Sequence, residues 1–394
     1  MKKVKPFYRP LTLPMKQILM ALAIKGLTGW KGLGYWARGA GKVFRMASGA
    51  VGIGCFGYPI HPVYEITSKC NLKCIHCHAR GGEGSDELCT EEAKRVIDNL
   101  ADVKDFRMLV FTGGEPFARK DIFELIRHAR DLGFEIVIAT NATLITKEVA
   151  NRLRREEVVG IAASIDSVHP EKHDWFRGVR GAYEAAIKGI ENSKNEGLYI
   201  QINITVSKMN LKELPDLLKL ADKLGAYVVL LYQLIPFGRG EGLPELALSP
   251  EEFREVIEVT KKVQSEIKPV VAPVGLPQYW AYLISKSKII GKLAKRLVAG
   301  CIAGKGMFYV KPNGDVWSCC FLPVKLGNLV KDSARDIWYN NELLDKLRSR
   351  RELRGICDNC ELKDFCGGCR SRAYAYYKDP LAEDPLCPIK DYVK

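Results

Sequence analysis

The chain has 394 residues, of which 47% are hydrophobic and 27% are charged, and its formal net charge is +14. This composition predicts a soluble protein that is long enough for more than one hydrophobic core. Its thirteen cysteines could form disulfides only after export, but the apolar run at residues 18–24 lacks a signal-peptide cleavage site and is too short to span a bilayer. We therefore expect a cytoplasmic protein whose cysteines bind metal.

The positive charge is concentrated in residues 1–62, a glycine-rich N-terminal extension. It contains ten Lys or Arg residues, and the first carboxylate of the chain is Glu65. Such a mixture of basic, apolar and aromatic residues is typical of segments that bind an anionic membrane surface, here the inner face of the membrane. A basic strap packed on the folded core explains the composition equally well. A nucleic-acid-binding arm is disfavoured because no recognised binding fold supports it.

From Val63 onward, short β-branched runs alternate with amphipathic segments. The predicted strands are residues 63–69, 106–114, 135–140, 158–166, 199–207 and 226–234. The predicted helices lie near residues 90–100, 121–132, 147–155, 181–195, 211–224 and 250–266. Six strands with intervening helices predict an α/β fold with a parallel sheet, either open or rolled into a partial barrel.

Polar or metal-binding features follow four successive predicted strands. Three cysteines follow the first strand, and the segment GGEP at residues 113–116 ends the second. Asn141 ends the third strand, and Ser164 and Asp166 end the fourth. Because the carboxyl ends of parallel strands meet at one edge of a sheet or barrel, the sequence predicts a single functional site at that edge.

The three cysteines of the first loop are Cys70, Cys74 and Cys77, in the pattern CxxxCxxC. Each iron of a [4Fe–4S] cube needs one outside ligand, so three cysteines leave one iron open. An amino acid could chelate that iron through its amine and carboxylate. The alternative is a zinc knuckle completed by His76 or His78.

This cysteine spacing, together with GGEP on the next strand, resembles the radical S-adenosylmethionine (radical SAM) superfamily over about residues 63–240. The resemblance implies a partial (β/α)6 TIM-like barrel, a cluster on Cys70, Cys74 and Cys77, and S-adenosylmethionine (SAM) on the fourth iron. It also implies an electron donor such as a ferredoxin or flavodoxin. Reductive cleavage of SAM would then yield a 5′-deoxyadenosyl radical, which abstracts a hydrogen atom from an unactivated C–H bond.

The resemblance also implies a set of SAM contacts, although strand-end capping or turn polarity remains an alternative for the residues outside GGEP. The GGEP segment would receive the methionine ammonium group, and the polar ends of the third and fourth strands would contact the ribose and the methionine carboxylate. Arg177 would pair with a carboxylate, and His76 would lie against adenine. The full set is His76, Gly113, Gly114, Glu115, Asn141, Ser164, Asp166 and Arg177.

A second group of cysteines begins after a bridge at residues 275–300. Its members are Cys301, Cys319, Cys357, Cys360, Cys366, Cys369 and Cys387. Their spacing closely resembles the SPASM extension, which carries auxiliary Fe–S clusters in many radical SAM maturases; a zinc ribbon is the alternative. The domains expected from this resemblance are the extension 1–62, a radical SAM core at 63–274, the bridge 275–300 and a SPASM domain at 301–394.

The SPASM resemblance divides these cysteines between two auxiliary clusters, which we expect to be [4Fe–4S]. One cluster would have all four of its ligands, namely Cys357, Cys360, Cys366 and Cys387. Cys301, Cys319 and Cys369 would hold the other. An upstream cysteine of some relatives is absent, so either Cys320 is the fourth ligand or one iron is open to substrate.

Three substrate classes remain open. A hydrophobic, membrane-associated lipid or isoprenoid chain is the leading hypothesis because the basic extension and the bridge, with Trp280 and Leu283, carry apolar and basic residues. The sequence CGGC of residues 366–369 instead resembles the tetrapyrrole and metal-cofactor maturation branch, whose anionic substrates would also suit a basic surface. Peptide or protein maturation is the third class. A non-enzymatic Fe–S electron-transfer or scaffold protein would not need GGEP.

Overall fold

The computed structural model describes residues 60–84, 86–106, 108–285 and 300–390. Ten strands of this described part form one sheet. In chain order they are β1 His61–Glu65, β2 Met108–Thr112, β3 Glu135–Thr140, β4 Gly160–Ser164, β5 Tyr199–Val206, β6 Val228–Gln233, β7 Val270–Val274, β8 Met307–Val310, β9 Asp315–Trp317 and β10 Gly327–Asn328.

The order of strands across the sheet is β10-β9-β8-β1-β2-β3-β4-β5-β6-β7. Strands β1 to β7 are parallel neighbours, and β8 lies parallel to β1 on its other side. Strands β8, β9 and β10 pair in antiparallel fashion. The result is the α/β architecture of a partial TIM-like barrel, extended at one edge by strands from the C-terminal part of the chain.

Helices follow most strands of the sheet and cover it. The α-helices of the described residues are α1 Thr90–Ala101, α2 Ile122–Asp131, α3 Lys147–Arg155, α4 Pro170–Arg177, α5 Ala182–Asn195, α6 Leu214–Lys223, α7 Pro250–Gln264, α8 Gln278–Ser285, α9 Ala334–Asn340, α10 Glu342–Ser349, α11 Lys363–Cys366 and α12 Arg370–Tyr377. Short 3-10 helices occupy Pro116–Ala118, Leu211–Glu213, Gly238–Gly242, Pro244–Leu246 and Gly355–Cys357.

Local sequence explains these elements well. Strand β6 reads VVLLYQ and is buried at five of its six positions, as expected for a parallel strand that is covered on both faces. Helix α7 begins with Pro250 after a capping box, in which the Ser249 hydroxyl accepts from the Glu252 N–H and the Glu252 carboxylate accepts from the Ser249 N–H. Both groups satisfy N–H donors that the first helical turn leaves unpaired.

All six predicted strands are present, and four strands that the sequence interpretation did not include extend the sheet at its two edges. Strand β7 contains Pro273, a residue that in a sequence argues against a central strand. In the structure β7 lies at the edge of the sheet, where the N–H that proline lacks is not needed for a ladder hydrogen bond. Strand β8 aligns Met307 with His61 and Val310 with Tyr64. The C-terminal part of the chain therefore shares a sheet with the barrel, and β1 begins two residues before Val63.

The membrane interpretation concerns residues that lie mostly outside the described part of the chain, namely 1–59 and 286–299. The described part of the bridge forms α8, in which Trp280 and Leu283 are only 2% and 4% exposed. These two apolar side chains pack into the core instead of facing a membrane. No helix among the described residues combines the length and the apolar character needed to cross a bilayer.

Candidate active site

A cavity of about 230 Å³ lies inside the barrel and opens at the carboxyl ends of its strands. Strand-end residues from β2, β3, β4 and β6 line it, namely Thr112, Thr140, Ser164 and Gln233. Residues of the C-terminal strands and of the loop after β9 close its other side. We call this space the active-site cavity, because it collects the polar strand ends where the sequence predicts the site.

The three cysteines of the first loop all line the active-site cavity. Each sulfur has an N–H donor near it: the Leu72 amide lies 3.4 Å from the Cys70 sulfur, the Gly81 amide 3.3 Å from Cys77, and the Arg177 Nη1 3.8 Å from Cys74. Donors of this kind stabilise the negative charge of thiolates that hold an iron–sulfur cluster. The residues present therefore fit the cluster that the sequence predicts.

Burial raises the pKa of Cys70 to about 11 and also raises the pKa of Cys74. Iron must therefore displace thiol protons when a cluster binds here. Among the described residues, no three His, Cys, Asp or Glu side chains converge on a point that could hold one metal ion. The thiolates of a cubane cluster each bind a different iron and do not need to converge in this way.

The two glycines of GGEP allow the end of β2 to pack directly against the segment before Cys70. A Cβ atom on Gly113 would lie 2.4 Å from the Thr67 carbonyl oxygen, and one on Gly114 would lie 2.3 Å from the Lys69 carbonyl oxygen. A backbone hydrogen bond holds this contact, since the Gly114 N–H donates to the Thr67 carbonyl at 2.8 Å. Both glycines also line the active-site cavity. This placement permits their contact with the methionine ammonium group, which stays a prediction.

The Glu115 side chain points away from the cavity towards the end of β3. Its buried carboxylate accepts hydrogen bonds from the Thr140 hydroxyl at 2.8 Å, the Asn141 amide at 2.8 Å and the Phe117 amide at 3.2 Å. Burial raises the pKa of Glu115 to about 7, although these donors favour the charged form. Glu115 therefore ties the ends of β2 and β3 together, and any contact of its carboxylate with SAM stays a prediction.

Asn141 and Ser164 are placed as the sequence predicts, on the wall of the active-site cavity. The Asn141 side chain is oriented by its neighbours: its Nδ2 donates to the Asn71 Oδ1 at 2.9 Å, and its Oδ1 accepts from the Thr143 hydroxyl at 2.7 Å. These bonds attach the strand end to the cluster loop. The predicted ribose-side contacts of Asn141 and Ser164 remain predictions.

Asp166 and Arg177 form a buried ion pair behind the cluster loop. Arg177 reaches the cavity wall, whereas the Asp166 carboxylate lies behind it and accepts from the Thr205 amide at 2.7 Å. Burial alone would raise the pKa of Asp166, but the Arg177 guanidinium, together with smaller contributions from neighbouring histidines and the Thr205 amide, holds that pKa below its ordinary value. The pair thus positions a cation beside the Cys74 sulfur. The SAM contacts of Asp166 and Arg177 stay predictions.

The His76 ring stacks on the Phe176 ring, with 3.8 Å between centroids and 11° between planes. Burial lowers the pKa of His76 to about 3, so the ring is neutral. Its Nδ1 is buried and has no hydrogen-bond partner among the described residues, although the ring lines the cavity. An orphaned polar atom at a cavity wall indicates a missing partner, which suits the predicted contact of His76 with adenine.

The sequence interpretation gave no role to Arg239, Tyr309 or Gln233, and it considered His78 only as a ligand of the alternative zinc knuckle. Arg239 clamps the cluster loop, because its Nε donates to the Cys74 carbonyl at 2.8 Å and its Nη1 to the Gly81 carbonyl at 3.0 Å. His78, Tyr309 and Gln233 also line the cavity, and the Gln233 Oε1 is buried without a hydrogen-bond partner among the described residues. The one signal available was the arginine between glycines after β6, in the segment FGRG.

The four cysteines that are predicted to hold one complete cluster all line a second cavity, of about 290 Å³. It is lined by Cys357, Cys360, Cys366 and Cys387. Two of these sulfurs have N–H donors: the Gly368 amide lies 3.5 Å from the Cys366 sulfur, and the Arg370 Nη2 lies 3.8 Å from the Cys357 sulfur. Four cysteines on one cavity fit a completely ligated iron–sulfur cluster.

The other three predicted auxiliary ligands lie at the junction between the C-terminal strands and α12. Cys301 and Cys319 pack on the same small apolar cluster, and the Cys319 sulfur accepts from the Ser371 hydroxyl at 3.3 Å. Cys369 directly precedes α12. Burial raises the pKa of Cys369 most, and the charge of Cys301 raises it further. Cys320 instead lines the active-site cavity, so whether it ligates this cluster stays open.

Two family models match the chain. Residues 64–221 match the model described as the radical SAM superfamily, and residues 301–361 match the SPASM model, described as an iron–sulfur cluster-binding domain. A radical SAM domain binds a [4Fe–4S] cluster and SAM and needs an external electron donor, and a SPASM domain binds auxiliary iron–sulfur clusters. The first match contains Cys70, Cys74 and Cys77, and the second contains four cysteines of the C-terminal group, namely Cys301, Cys319, Cys357 and Cys360.

Individual proteins resemble the chain over most of its length. An AdoMet-dependent heme synthase of Methanosarcina barkeri is 38% identical over 335 residues, which cover 82% of this chain and 95% of that protein. An Fe-coproporphyrin III synthase of the same organism is 32% identical over 347 residues, covering 82% and 86%. The crystal structure of Streptococcus suis SuiB bound to the precursor peptide SuiA has a TM-score of 0.67 at 22% identity, covering 84% of this chain and 76% of SuiB, and shows a shared fold.

The predicted fold, the two cysteine groups and a relative matched over nearly its whole length all agree. The sequence identity to the Methanosarcina heme synthase is high enough, over enough of both chains, to establish common descent. The chain therefore belongs to the radical SAM superfamily and carries a C-terminal SPASM domain.

Proposed function

We propose that the protein uses radical SAM chemistry to remove a hydrogen atom from a side chain of an iron tetrapyrrole on the route to heme. The observation that carries this proposal is the shape and lining of the active-site cavity. The cluster loop with its three cysteines lines this cavity together with the aromatic rings of Tyr232, Tyr309 and Phe321. Flat aromatic walls suit a planar, largely apolar macrocycle.

The polar residues of the cavity suit the carboxylate side chains that tetrapyrrole precursors carry. The guanidinium groups of Arg177 and Arg239 lie on the wall nearest the cluster loop. Strand β5 adds Gln201, Asn203 and Thr205, whose side chains face the same cavity. A mainly apolar cavity with a few convergent polar groups is the usual form of a small-molecule site, and this one has cations where an anionic edge would lie.

The names of the relatives support the same substrate class. Relatives above 30% identity include proteins named as a heme synthase and an Fe-coproporphyrin III synthase, and another relative, at 29% identity, is a pre-heme d1 synthase of Dinoroseobacter shibae. None of these names refers to a lipid or isoprenoid. The leading substrate hypothesis from the sequence, a membrane-associated lipid chain, therefore gives way to its alternative, a tetrapyrrole, and the burial of Trp280 removes part of its basis.

The residues of the chain would act as follows. The cluster with SAM supplies a 5′-deoxyadenosyl radical once an external donor, which we propose is a ferredoxin or flavodoxin, has provided an electron. Gly113, Gly114, Asn141 and Ser164 line the cavity and would hold SAM, while Arg177 keeps a positive charge beside the cluster thiolates. The enclosed barrel interior keeps water and other hydrogen donors away from the radical.

The test is an anaerobic assay with the reduced, fully reconstituted enzyme and SAM. Separate reactions receive iron coproporphyrin III, metal-free coproporphyrin III, a phospholipid–isoprenoid mixture or a peptide fraction. We expect iron coproporphyrin III to stimulate 5′-deoxyadenosine formation and to yield a product of lower mass that carries a vinyl group. In this step a propionate side chain would lose a hydrogen atom to the deoxyadenosyl radical, carbon dioxide, and one electron to an acceptor, for which we propose an auxiliary iron–sulfur cluster. Stimulation by the lipid or peptide reactions, with none by either porphyrin, would refute the proposal.

A further inference from the structure

His78 is placed in the active-site cavity but has no role in the cluster or in the proposed SAM contacts. It follows Cys77 directly, at the end of the cluster loop, and its ring lines the cavity. The ring lies 4.8 Å from the Phe321 ring, tilted by 54°, on the aromatic wall where the macrocycle would lie. An imidazole at this position is close both to the radical source and to the proposed substrate.

Hydrogen bonds around His78 determine which of its nitrogens carries the proton. The His78 Nε2 lies 3.3 Å from the Tyr309 hydroxyl, and that hydroxyl is also in contact with the Glu65 carboxylate. The other oxygen of Glu65 is paired with the Lys311 ammonium group, so Glu65 is an acceptor. The Tyr309 hydroxyl has one proton and donates it to Glu65, and its oxygen therefore accepts the proton of His78 Nε2.

The Nδ1 of His78 consequently retains its lone pair. Within the described part of the chain, no hydrogen bond to Nδ1 occurs. Metal-binding histidines generally donate the N–H of their second nitrogen to an oxygen acceptor, which fixes the tautomer and the ring orientation. The series Glu65, Tyr309 and His78 has this arrangement.

We propose that the Nδ1 of His78 is an axial ligand to the iron of the tetrapyrrole substrate. This inference rests on the proposed function and adds to it the residue that would hold the iron. Imidazole nitrogen is a common axial ligand of haem iron. An iron–nitrogen bond at His78 would hold the macrocycle beside the cluster loop, and it would make the enzyme select iron-loaded over metal-free tetrapyrroles.

Three other side chains of the cavity could bind iron, and the experiment has to separate them: His76, whose orphaned Nδ1 we assign to adenine, and two residues that have no assigned role. His61 lines the cavity as well, at the start of β1, and Cys320 lies beside Phe321. Cys320 would supply a thiolate, whose ferric porphyrin complex has a different absorption and EPR spectrum from an imidazole complex. His78 is favoured because Tyr309 already holds its ring in the ligating tautomer.

The test measures binding, not turnover, on the full chain with all clusters in their oxidised, EPR-silent state. Iron coproporphyrin III and metal-free coproporphyrin III are titrated separately, and binding is followed by difference absorption in the Soret region and by EPR of the ferric porphyrin. The wild type should bind the iron form with an imidazole-type spectrum. His78→Ala should lose about tenfold or more in affinity for the iron form and little for the metal-free form, and added imidazole should restore the spectrum.

Matched variants guard against indirect effects. His128→Ala removes a histidine of α2 that pairs with Asp98 at 2.8 Å outside the cavity, and it should bind both porphyrins as the wild type does. Tyr309→Phe leaves the cluster loop unchanged and should weaken iron-porphyrin binding with an altered imidazole spectrum. If His78→Ala fails to assemble its clusters, as judged by iron content, this second variant together with nitrogen couplings in pulsed EPR of the wild type decides the question.

The outcomes separate the inference from the proposed function. An unchanged imidazole-type spectrum in His78→Ala would overturn the inference in favour of another histidine of the cavity, His61 or His76, and a thiolate-type spectrum in the wild type would overturn it in favour of Cys320. Either result would leave the tetrapyrrole proposal standing. If the wild type binds neither porphyrin, the proposed function itself fails.

Discussion

Arg372 and Asp384 form a bidentate ion pair that is almost completely buried, with side-chain exposures of 1% and 0%. The Arg372 Nε lies 2.7 Å from the Asp384 Oδ1, and its Nη2 lies 2.6 Å from Oδ2. Arg372 also donates to the Gly275 carbonyl after β7, and Asp384 accepts from the amide of the predicted ligand Cys369 and from the Gln278 side chain of α8. One ion pair thus connects the auxiliary-cluster region to the barrel.

Replacement of Arg372 by Met should destabilise the protein strongly. The variant leaves the Asp384 carboxylate buried without its cation, and loss of one partner of a buried pair costs about 3 to 5 kcal/mol. Anaerobic thermal unfolding and iron content measure the effect. Arg354→Met is the matched control, because its ion pair with Asp379 is largely exposed and should matter little. The double variant Arg372→Met with Asp384→Asn should be less unstable than Arg372→Met alone. Equal stability of the wild type and Arg372→Met would contradict a stabilising role of the buried ion pair.

Reconstituted protein should contain about twelve irons per chain, since each of three four-iron clusters has its own cysteine set. The cysteines of the first loop line the active-site cavity, the four-cysteine set lines the second cavity, and Cys301 and Cys319 pack on one small apolar cluster. Iron analysis and Mössbauer spectroscopy after anaerobic reconstitution check the number. Roughly four irons accompanied by stoichiometric zinc would mean that the C-terminal cysteines form a zinc ribbon instead.

The triple variant Cys70→Ala, Cys74→Ala, Cys77→Ala should lose reductive cleavage of SAM completely but retain about eight irons, because the auxiliary cysteines lie outside the first loop. The measurements are 5′-deoxyadenosine formation with a chemical reductant and iron content. Cys89→Ala is a suitable control, since Cys89 is exposed at the start of α1 and lies outside every predicted cluster set. Cleavage of SAM by the triple variant would show that another cluster performs the chemistry.

Replacement of Glu115 by Gln should change how stability depends on pH. Burial raises the pKa of Glu115 from 4.5 to about 7 in the folded protein. The folded state therefore binds an extra proton between these values, so this group's contribution to stability falls as pH rises from about 4.5 to about 7, by an amount on the order of 3 kcal/mol. The amide side chain of the variant does not titrate. The free energy of unfolding of the wild type relative to Glu115→Gln should decline from about pH 5 to about pH 8, and a difference that is constant or rises over this range would contradict the buried-carboxyl argument.

The N-terminal extension is predicted to bind anionic membranes, although it lies outside the described residues. Each Lys or Arg near an anionic surface adds about 1 kcal/mol, and the attraction is screened over about 8 to 10 Å at physiological ionic strength. In co-sedimentation with anionic liposomes at low salt, the full chain should pellet, and a chain that starts near Pro59 should remain in solution. Both should still cleave SAM on reduction. Equal partitioning would leave the basic stretch as a strap on the folded core.

Features that depend on local sequence could be predicted. The six barrel strands and their helices follow from hydrophobic periodicity, which each element carries within its own residues. The first cysteine set is recognisable from its CxxxCxxC spacing within one loop, whereas the division of the C-terminal cysteines between two clusters is what the resemblance to the SPASM extension implies. The placement of Gly113, Gly114, Asn141 and Ser164 on one cavity wall also follows, since parallel strands bring their carboxyl ends to one edge.

Only the tertiary structure decided the contacts between residues far apart in the sequence. Glu65 meets Tyr309, 244 residues later, because β8 aligns with β1, and no local pattern encodes that register. The same holds for the Glu115 carboxylate, which turns towards β3 and not into the cavity. Hydrophobic periodicity determines that a strand is buried, but the order and register of strands depend on how the whole chain packs, and these decide which polar side chains meet.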